Sequence, residues 1–270
     1  MKPEIKLITL DMDGTTLHED KSLSKRTLNS IQKIIDKGVL VVPASGRPLE
    51  GLKDTILRAK PINYIISANG ARITDYRSNS IIYENTIPNK IAASVLERLS
   101  SFDVYTYVHC NNKHMRSLDK NHRFSRKYPY IKFSDDNSYE NLAEIVKKQG
   151  TDIQKIGALT YDQAAKKSLL ESNSLFSDVC MAEAGPFNVE FNALTASKGT
   201  ALKYLCNILN ISSEEVLSIG DSQNDVTMLQ FAGCSVAMGN AIDKVKSIAD
   251  HVTCKNDDDG VAVFLEKFFS

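Results

Sequence analysis

The first third of the chain alternates short apolar runs with segments whose apolar residues recur at helical spacing. Residues 6–10, 39–45 and 64–71 are predicted strands. Residues 24–38 predict a helix between the first two strands, with Ser24 as its N-cap. Strands and helices that alternate through short links indicate parallel pairing. The pattern therefore predicts an α/β fold with a doubly wound, mainly parallel sheet.

A helix is also predicted after the second strand of the first third, with Pro48 in its first turn, because proline suits that position. The last third of the chain resumes the same alternation. The later predicted elements are a helix at 197–210, a strand at 215–221, a short helix at 224–233, a strand at 234–239 and a final helix at 260–269.

The middle of the chain differs from both ends, since it is richer in Tyr, Asn, His and Lys. We expect residues 84–188 to form an inserted α+β cap domain, and residues 1–83 and 189–270 to form one discontinuous core. Within the insertion, residues 110–130 are polar and are predicted to be mainly loop.

Composition narrows the function classes. The 33 basic and 33 acidic residues cancel, which argues against a protein dedicated to nucleic acid. No apolar stretch is long enough to span a membrane, and the N-terminus lacks signal-peptide features. The five cysteines are scattered, as is typical of reduced core thiols. We therefore expect a cytoplasmic monomer or homodimer that binds a small molecule, and no nucleic acid or membrane.

Several polar residues follow predicted strands or begin a predicted helix. In open α/β sheets, ligands bind beyond the carboxyl ends of the strands, so we expect these groups to converge. Several carboxylates together favour a hard divalent cation such as Mg²⁺, and a lysine with hydroxyl and amide donors favours phosphate. The residues are Asp11, Asp13, Ser45, Gly46, Lys198, Asp221, Asn224 and Asp225.

Other metal sites are less consistent with the sequence. The run that starts at Asp11 has glycine in fourth place, whereas a calcium-binding EF-hand loop needs it in sixth place. His109, His114 and His122 lie in the insertion without the helical spacing of a zinc motif. We expect these histidines at the surface or facing the substrate.

Four motifs carry a resemblance to a known family. They are DMDGTT, which begins at Asp11, ASGRP, which ends at Pro48, SKGTAL, which includes Lys198, and GDSQND, which includes Asp221. In this order, with an insertion between the second and third motifs, the chain resembles the haloacid dehalogenase (HAD) superfamily of aspartate-nucleophile phosphatases. The insertion further resembles that of the Cof-type members (subclass IIB), which carry an α/β cap. The resemblance covers essentially the whole chain, although the cap matches only in position and size.

The resemblance implies catalytic roles for three residues. Asp11 would be the nucleophile that forms an aspartyl phosphate. Asp13 would protonate the leaving alkoxide and then activate water, so its pKa should be raised when substrate is bound. Lys198 would pair with Asp11 and with the phosphate. Thr15 would hydrogen-bond near Asp13, and Gly14 would permit the sharp turn after it.

The resemblance also implies the binding residues. Ser45, the Gly46 amide, Lys198 and Asn224 would hold phosphate oxygens. Mg²⁺ would be ligated by the Asp11 carboxylate, the Asp13 backbone carbonyl and the Asp221 carboxylate. Asp225 would support the ion through water or from behind its ligands.

The expected function is Mg²⁺-dependent hydrolysis of a small phosphomonoester. A sugar phosphate is the first candidate substrate, followed by FMN or pyridoxal phosphate. The cap is expected to close over the site and choose the leaving group. Two alternatives stay open: a sugar phosphomutase that uses the same aspartate, and a non-catalytic sugar-phosphate-binding protein.

Overall fold

The structure is a computed structural model that describes residues 4–52, 56–111, 113–129 and 137–270. The strands, numbered in chain order, are β1 (Leu7–Asp11), β2 (Leu40–Ala44), β3 (Tyr64–Ser67), β4 (Arg72–Asp75), β5 (Ser80–Glu84), β6 (Val104–Cys110), β7 (Lys113–Ser117), β8 (Ser138–Tyr139), β9 (Lys155–Thr160), β10 (Cys180–Glu183), β11 (Asn188–Asn192), β12 (Val216–Gly220), β13 (Cys234–Ala237) and β14 (His251–Val252). The α-helices are α1 (Lys25–Asp36), α2 (Asn89–Leu99), α3 (Arg123–Lys127), α4 (Leu142–Gln149), α5 (Gln163–Glu171), α6 (Lys198–Leu209), α7 (Val226–Phe231), α8 (Asp243–Ile248) and α9 (Gly260–Phe268).

Two units divide the chain. The outer unit comprises Met1–Glu84 and Ser197–Ser270, and the inserted unit comprises Asn85–Ala196. In the part of the chain that the structure describes, no helix combines the length and the hydropathy needed to cross a bilayer.

The outer unit is built on one sheet with the strand order β14-β13-β12-β1-β2-β3-β4-β5. The strands from β14 to β3 are parallel, and β4 and β5 add an antiparallel hairpin at the β3 edge. β1 lies between β12 and β2, so the ends of these three strands are neighbours. The chain is thus an α/β protein with a mainly parallel sheet, as the alternation of strands and helices predicted.

Apolar side chains cover both faces of the outer sheet. Along β1, Ile8 and Leu10 join one hydrophobic cluster and Leu7 joins another. The first cluster includes residues of α1 and α9, and the second includes residues of α6. Helix α1 begins as predicted, because the Ser24 side chain accepts a hydrogen bond from the Thr27 amide at 3.0 Å. Burial of both faces is what a parallel sheet requires.

The inserted unit is an α+β unit with its own sheet and core. Its strand order is β10-β11-β9-β6-β7-β8, antiparallel except for the β7–β8 pair. Residues of α2, α4 and α5 pack with one face of this sheet in a single apolar cluster. The buried apolar residues of β11, Val189 and Phe191, belong to that cluster. Polar side chains of the same strand therefore lie on the opposite face.

The second boundary of the insertion differs from the one expected from sequence. The sequence pattern predicts residues 189–196 in the core, but β11 pairs with β9 and β10 of the inserted sheet. Residues up to Ala196 consequently group with the insertion, and the outer unit resumes at Ser197.

Three local predictions also differ from the structure. After Pro48, the described residues form two 3₁₀ turns, Leu49–Leu52 and Ile56–Arg58, instead of an α-helix. The predicted third strand ends at Ser67, because the following turn places Asn69 at a φ of 59°. The segment 110–130, predicted to be mainly loop, contains β7 and α3 among its described residues.

Candidate active site

The acidic turn follows directly from the end of β1. Asp11 is the last residue of that buried strand, and the Thr16 hydroxyl donates to its backbone oxygen at 2.5 Å. The turn needs glycine at position 14, where φ is +82°. A Cβ added there would lie 2.6 Å from Oδ2 of Asp221, so the turn and that carboxylate are in close proximity.

Lys198, the first residue of α6, joins two of the acids. Its side chain is fully buried, and its Nζ donates to Asp11 Oδ1 at 2.5 Å and to Asp225 Oδ1 at 2.6 Å. Burial alone would lower the pKa of Lys198, but the two carboxylates reverse that effect and raise it. The lysine therefore remains a cation.

Asp11 has one oxygen engaged and one available. Oδ1 accepts from Lys198, whereas the buried Oδ2 has no hydrogen-bond partner. Burial and the nearby Asp225 carboxylate raise the pKa of Asp11, and Lys198 opposes them. An available oxygen on a buried carboxylate is suited to accept a cation or to form a new bond.

Asp225 is committed to holding other groups in place. Its Oδ2 accepts from the backbone amides of Asp221 and Ser222, each at 2.9 Å, and its Oδ1 accepts from Lys198. The residue is fully buried within the turn that begins α7. This bonding makes Asp225 a positioning residue for the lysine and for the Asp221 turn.

Asp221 follows the end of β12 and faces the acidic turn. Its Oδ1 accepts a hydrogen bond from the Thr15 hydroxyl at 2.8 Å. This corrects the sequence expectation that Thr15 bonds near Asp13; the hydroxyl lies within reach of the carboxylate of the neighbouring strand instead. Burial, and then the charge of Asp225, raises the pKa of Asp221 to about 6.

Asp13 differs from the other acids because two basic side chains neutralise it. Arg47 donates from Nε to Asp13 Oδ2 at 2.7 Å and from a second guanidinium nitrogen to Oδ1. Lys21 adds an ion pair at 3.0 Å. Burial would raise the pKa of Asp13, but these contacts outweigh it and lower the pKa. In this arrangement Asp13 is ionised.

The predicted phosphate-binding residues lie together at the ends of β2 and β12. The Asn224 amide donates to Asn69 Oδ1 at 3.0 Å. A Cβ added at Gly46 would lie 2.8 Å from the same Asn69 oxygen, so Gly46 and Asn224 share a neighbour. Ser45 is buried, and its hydroxyl accepts from the Arg47 amide at 3.1 Å.

Sequence reasoning missed four contributors to this site. They are Arg47 and Lys21 on Asp13, Asn69 between Gly46 and Asn224, and Asn240, whose amide donates to the Gly14 carbonyl at 2.8 Å. Arg47 was within reach of prediction, because it belongs to the ASGRP motif. The Asn69–Gly70 pair is a turn signal inside the predicted strand 64–71. Nothing in the local pattern distinguishes Lys21 or Asn240.

The acidic cluster fits a divalent cation. One ligand atom from each of Asp11, Asp221 and Asp225 can be chosen so that all three lie within 4.8 Å of one another. The ionised groups would carry three negative charges against the single positive charge of Lys198. Such an excess in a buried site is unfavourable unless a cation reduces it. All the ligand atoms are oxygens, the set that Mg²⁺ prefers, and Asp11 Oδ2 is unpartnered.

The structure thus brings together the eight residues predicted from sequence. They are contributed by the ends of β1, β2 and β12 and by the start of α6, all within the outer unit. The groups are a buried carboxylate with one unpartnered oxygen, a second carboxylate held by two basic side chains, a buried cation and amide donors. This combination suits transfer of an anionic group.

Comparisons with known proteins agree with this geometry. A family model described as haloacid dehalogenase-like hydrolase matches residues 8–265. The chain is 32% identical to the 5-amino-6-(5-phospho-D-ribitylamino)uracil phosphatase YcsE of Bacillus subtilis (strain 168), over 96% of this chain and 94% of the relative. It is 29% identical to a phosphoglycolate phosphatase of Methanobrevibacter smithii, over 98% of each chain. A solved haloacid dehalogenase-like hydrolase from Bacteroides thetaiotaomicron has a TM-score of 0.83 and 28% identity, covering 98% of this chain and all of that one.

Proposed function

The chain belongs to the haloacid dehalogenase-like hydrolase family and is a phosphatase, and on that premise we propose that it hydrolyses small phosphomonoesters with Mg²⁺ through a phosphorylated Asp11. One observation carries the proposal. Lys198 holds one oxygen of a buried Asp11 carboxylate and leaves the other without a partner. A carboxylate that only stabilised the fold would be expected to have both oxygens bonded.

In the first step, Asp11 attacks the phosphorus atom. A bond forms between its carboxylate oxygen and phosphorus, and the bond from phosphorus to the ester oxygen breaks. Lys198 stays protonated beside Asp11 and stabilises the negative charge that spreads over the phosphoryl group in the transition state. Asp13 gives its proton to the departing alkoxide, which leaves as an alcohol.

In the second step, Asp13 acts as a base. It takes a proton from water, the resulting nucleophile attacks phosphorus, and the Asp11–phosphorus bond breaks to release inorganic phosphate. For the first step Asp13 must be protonated, yet Arg47 and Lys21 hold it ionised. The incoming phosphate dianion competes with Asp13 for these two cations, and their withdrawal raises the pKa of Asp13.

The remaining polar groups position the phosphate. The Ser45 hydroxyl, the Gly46 amide and the Asn224 amide act as donors to its oxygens. Asn69 fixes the Asn224 side chain through its hydrogen bond. Donors that are already held in place lose little entropy when the substrate binds.

The Asp11 and Asp221 carboxylates and the Asp13 backbone carbonyl would hold the Mg²⁺ ion. Asp225 would keep Lys198 and the Asp221 turn in position, because both of its oxygens are already bonded. When bound, the ion would reduce the negative charge shared by the phosphate and Asp11.

The substrate is a small phosphorylated metabolite. A sugar phosphate, FMN and pyridoxal phosphate are candidates, and the relatives add 5-amino-6-(5-phospho-D-ribitylamino)uracil and phosphoglycolate. The described reactive residues all belong to the outer unit. The choice of the alcohol part is therefore assigned to the inserted unit.

A trapping experiment separates the two proposed steps. An aryl phosphate labelled on phosphorus has a leaving group that needs no protonation. Wild type and Asp13→Asn should therefore both become labelled, and only Asp13→Asn should retain the label because its second step is slow. Acid-quenched protein should lose the label to hydroxylamine, as an acyl phosphate does.

Asp11→Asn is the matched control and should acquire no label. Label on this variant would show that Asp11 is not the nucleophile. Phosphate release that continues in the wild type after Mg²⁺ is chelated would contradict the metal requirement.

A further inference from the structure

The turn that follows β3 holds three consecutive residues in the left-handed region of backbone conformation. The φ angle is 51° at Ala68, 59° at Asn69 and 91° at Gly70, and all three residues are buried. Only glycine adopts this region without steric cost. A strained backbone of this kind persists only where its surroundings hold it. The contacts of the turn must therefore compensate for its strain.

Backbone hydrogen bonds join this turn to the loop that follows β2. The Ala68 amide donates to the Arg47 carbonyl at 2.9 Å, and the Asn69 amide donates to the Ser45 carbonyl at 3.0 Å. The Ser45 amide donates in turn to the Ile66 carbonyl at 2.9 Å, at the end of β3. The loop is therefore held on the turn at both of its ends.

The Asn69 side chain reaches a second segment of the site. Its Oδ1 accepts from the Asn224 amide at 3.0 Å and lies 2.8 Å from the position that a Cβ on Gly46 would take. The side-chain amide of Asn224 and the backbone amide of Gly46 are both proposed donors to phosphate. One amide oxygen of the turn therefore sets the position of Asn224 relative to the loop after β2.

Gly70 contacts a third segment, the start of α6. A Cβ added at Gly70 would overlap the Ser197 carbonyl oxygen and would lie 2.8 Å from the Lys198 amide nitrogen. Backbone thus packs directly on backbone, and no larger residue fits without displacing the peptide that joins Ser197 to Lys198. Ser197 caps α6, and Lys198 is the first residue of that helix. The turn therefore determines how closely Lys198 approaches the ends of the strands.

We propose that the turn Ala68–Gly70 is a positioning element of the active site, which fixes the distance between Lys198 and the phosphate donors at positions 45, 46 and 224. The inference rests on the proposed phosphatase reaction, in which these groups contact one phosphate. Asn69 acts through Asn224, and Gly70 acts through Lys198. Their spacing matters because a displacement of about 1 Å can lower the rate of a reaction by about 100-fold.

The first test removes the Asn69 side chain without straining the backbone, since glycine adopts a φ of 59° freely. The measurement is inhibition of aryl phosphate hydrolysis by inorganic phosphate in the presence of Mg²⁺. Asn224→Ala should raise the inhibition constant about 10-fold, and Asn69→Gly should raise it about 3- to 10-fold. The double variant should exceed Asn224→Ala by no more than about twofold, because Asn69 acts through Asn224.

Asn79→Gly is the matched control for this series. It is the same substitution at nearly the same φ, 52°, in the exposed turn between β4 and β5. The inhibition constant of inorganic phosphate and the turnover of the aryl phosphate should both stay at their wild-type values.

The second test introduces a methyl group at the contact with α6. Gly70→Ala should lower kcat for the aryl phosphate by about 10-fold or more, because Lys198 is displaced. In a Lys198→Met background the same substitution should lower kcat by less than about threefold. Gly38→Ala is the matched control, since φ is 87° there and an added Cβ meets no atom within 4 Å. This control should lower the stability to urea and leave kcat unchanged.

Failure of the inference can be distinguished from failure of the proposed function. If Asn224→Ala weakens phosphate inhibition and Asn69→Gly does not, the inference alone is overturned. Effects of these two substitutions that multiply in the double variant would also overturn it, as would a Gly70→Ala variant with full kcat. If the folded wild type releases no phosphate from the aryl ester, the proposed function fails, and the inference fails with it. If Gly70→Ala does not fold, the Asn69→Gly series decides.

Discussion

The two units use polar residues in opposite ways. The outer unit covers both faces of its sheet with apolar side chains and confines its charged cluster to the strand ends, around Lys198. The inserted unit has an apolar face on one side of its sheet and a polar face, which includes the buried His109, on the other. Charge concentrated at one point suits the stabilisation of a transition state. The polar face of the inserted sheet instead pairs its charges with each other, as Lys155 and Glu190 do.

The largest difference between the two units is expected when one buried carboxylate in each is replaced by its amide. Asp11→Asn should lower aryl phosphate turnover by at least about 10⁴-fold, because it removes the nucleophile. Glu190→Gln, the corresponding change in the inserted unit, should alter it by no more than about threefold. The measurement is phosphate release at saturating Mg²⁺. Similar losses in both variants would mean that the reactive groups are not confined to the outer unit.

The two buried lysines provide the second comparison. Lys198→Met leaves Asp11 and Asp225 unpaired, and Lys155→Met leaves Glu190 without its ion pair. Each variant should lose about 3–5 kcal/mol of unfolding free energy in urea. Only Lys198→Met should also lose aryl phosphate turnover, by about 100-fold or more.

A second variant separates stability from catalysis at Lys198. In the double variant Lys198→Met/Asp225→Asn, only one of the two buried carboxylates that lost the lysine is still charged. Part of the unfolding free energy should therefore be restored, without any recovery of aryl phosphate turnover. A recovery of activity together with stability would indicate that Lys198 acts only through the fold.

Acid should affect the inserted unit through its histidines. Burial lowers the pKa of His114 from 6.5 to about 4, and burial also lowers that of His109. Between pH 6.5 and pH 4 the unfolded chain therefore binds protons that the folded chain does not, so the unfolding free energy falls as the pH falls.

The check is the pH dependence of urea unfolding in wild type and in His114→Gln. The variant should be less sensitive to acid in this range, and the difference between the two proteins should disappear above about pH 7. Parallel pH profiles would show that folding does not shift the pKa of His114.

The smallest predicted effect concerns the fit between Tyr107 and Gly157. Gly157→Ala places a methyl group where the Tyr107 ring lies, and the expected loss is about 1–3 kcal/mol of unfolding free energy. In a Tyr107→Leu background the same substitution should cost clearly less. Aryl phosphate turnover should be unaffected, which would confine the change to the inserted unit.

The site could be predicted because its residues follow strong patterns. Asp11 and Asp221 stand directly after apolar strands, and Lys198 stands at the start of an amphipathic helix. Parallel strand ends that lie side by side bring such residues together. The ASGRP motif was enough to place Arg47 at the site, but its pairing with Asp13 was not predictable, because the direction of a long side chain depends on tertiary packing.

The inserted unit was less predictable because one face of its sheet is polar. β7 has the sequence KHMRS, and only one of its five residues is apolar. Such a segment is predicted to be a loop, because buried strands are usually rich in apolar residues. In β11 the alternation is clear, with Val189 and Phe191 on the apolar face. The pattern shows that β11 is a strand, but it does not show which sheet the strand joins.

The two ends of the inserted segment meet. The Asn85 amide donates to the Thr195 hydroxyl at 3.0 Å, although 110 positions separate them along the chain. The two chain connections between the inserted unit and the outer unit therefore lie close together. A short linker could join residue 84 to residue 197 in place of the inserted unit, and a different domain with closely spaced ends could be inserted at the same position.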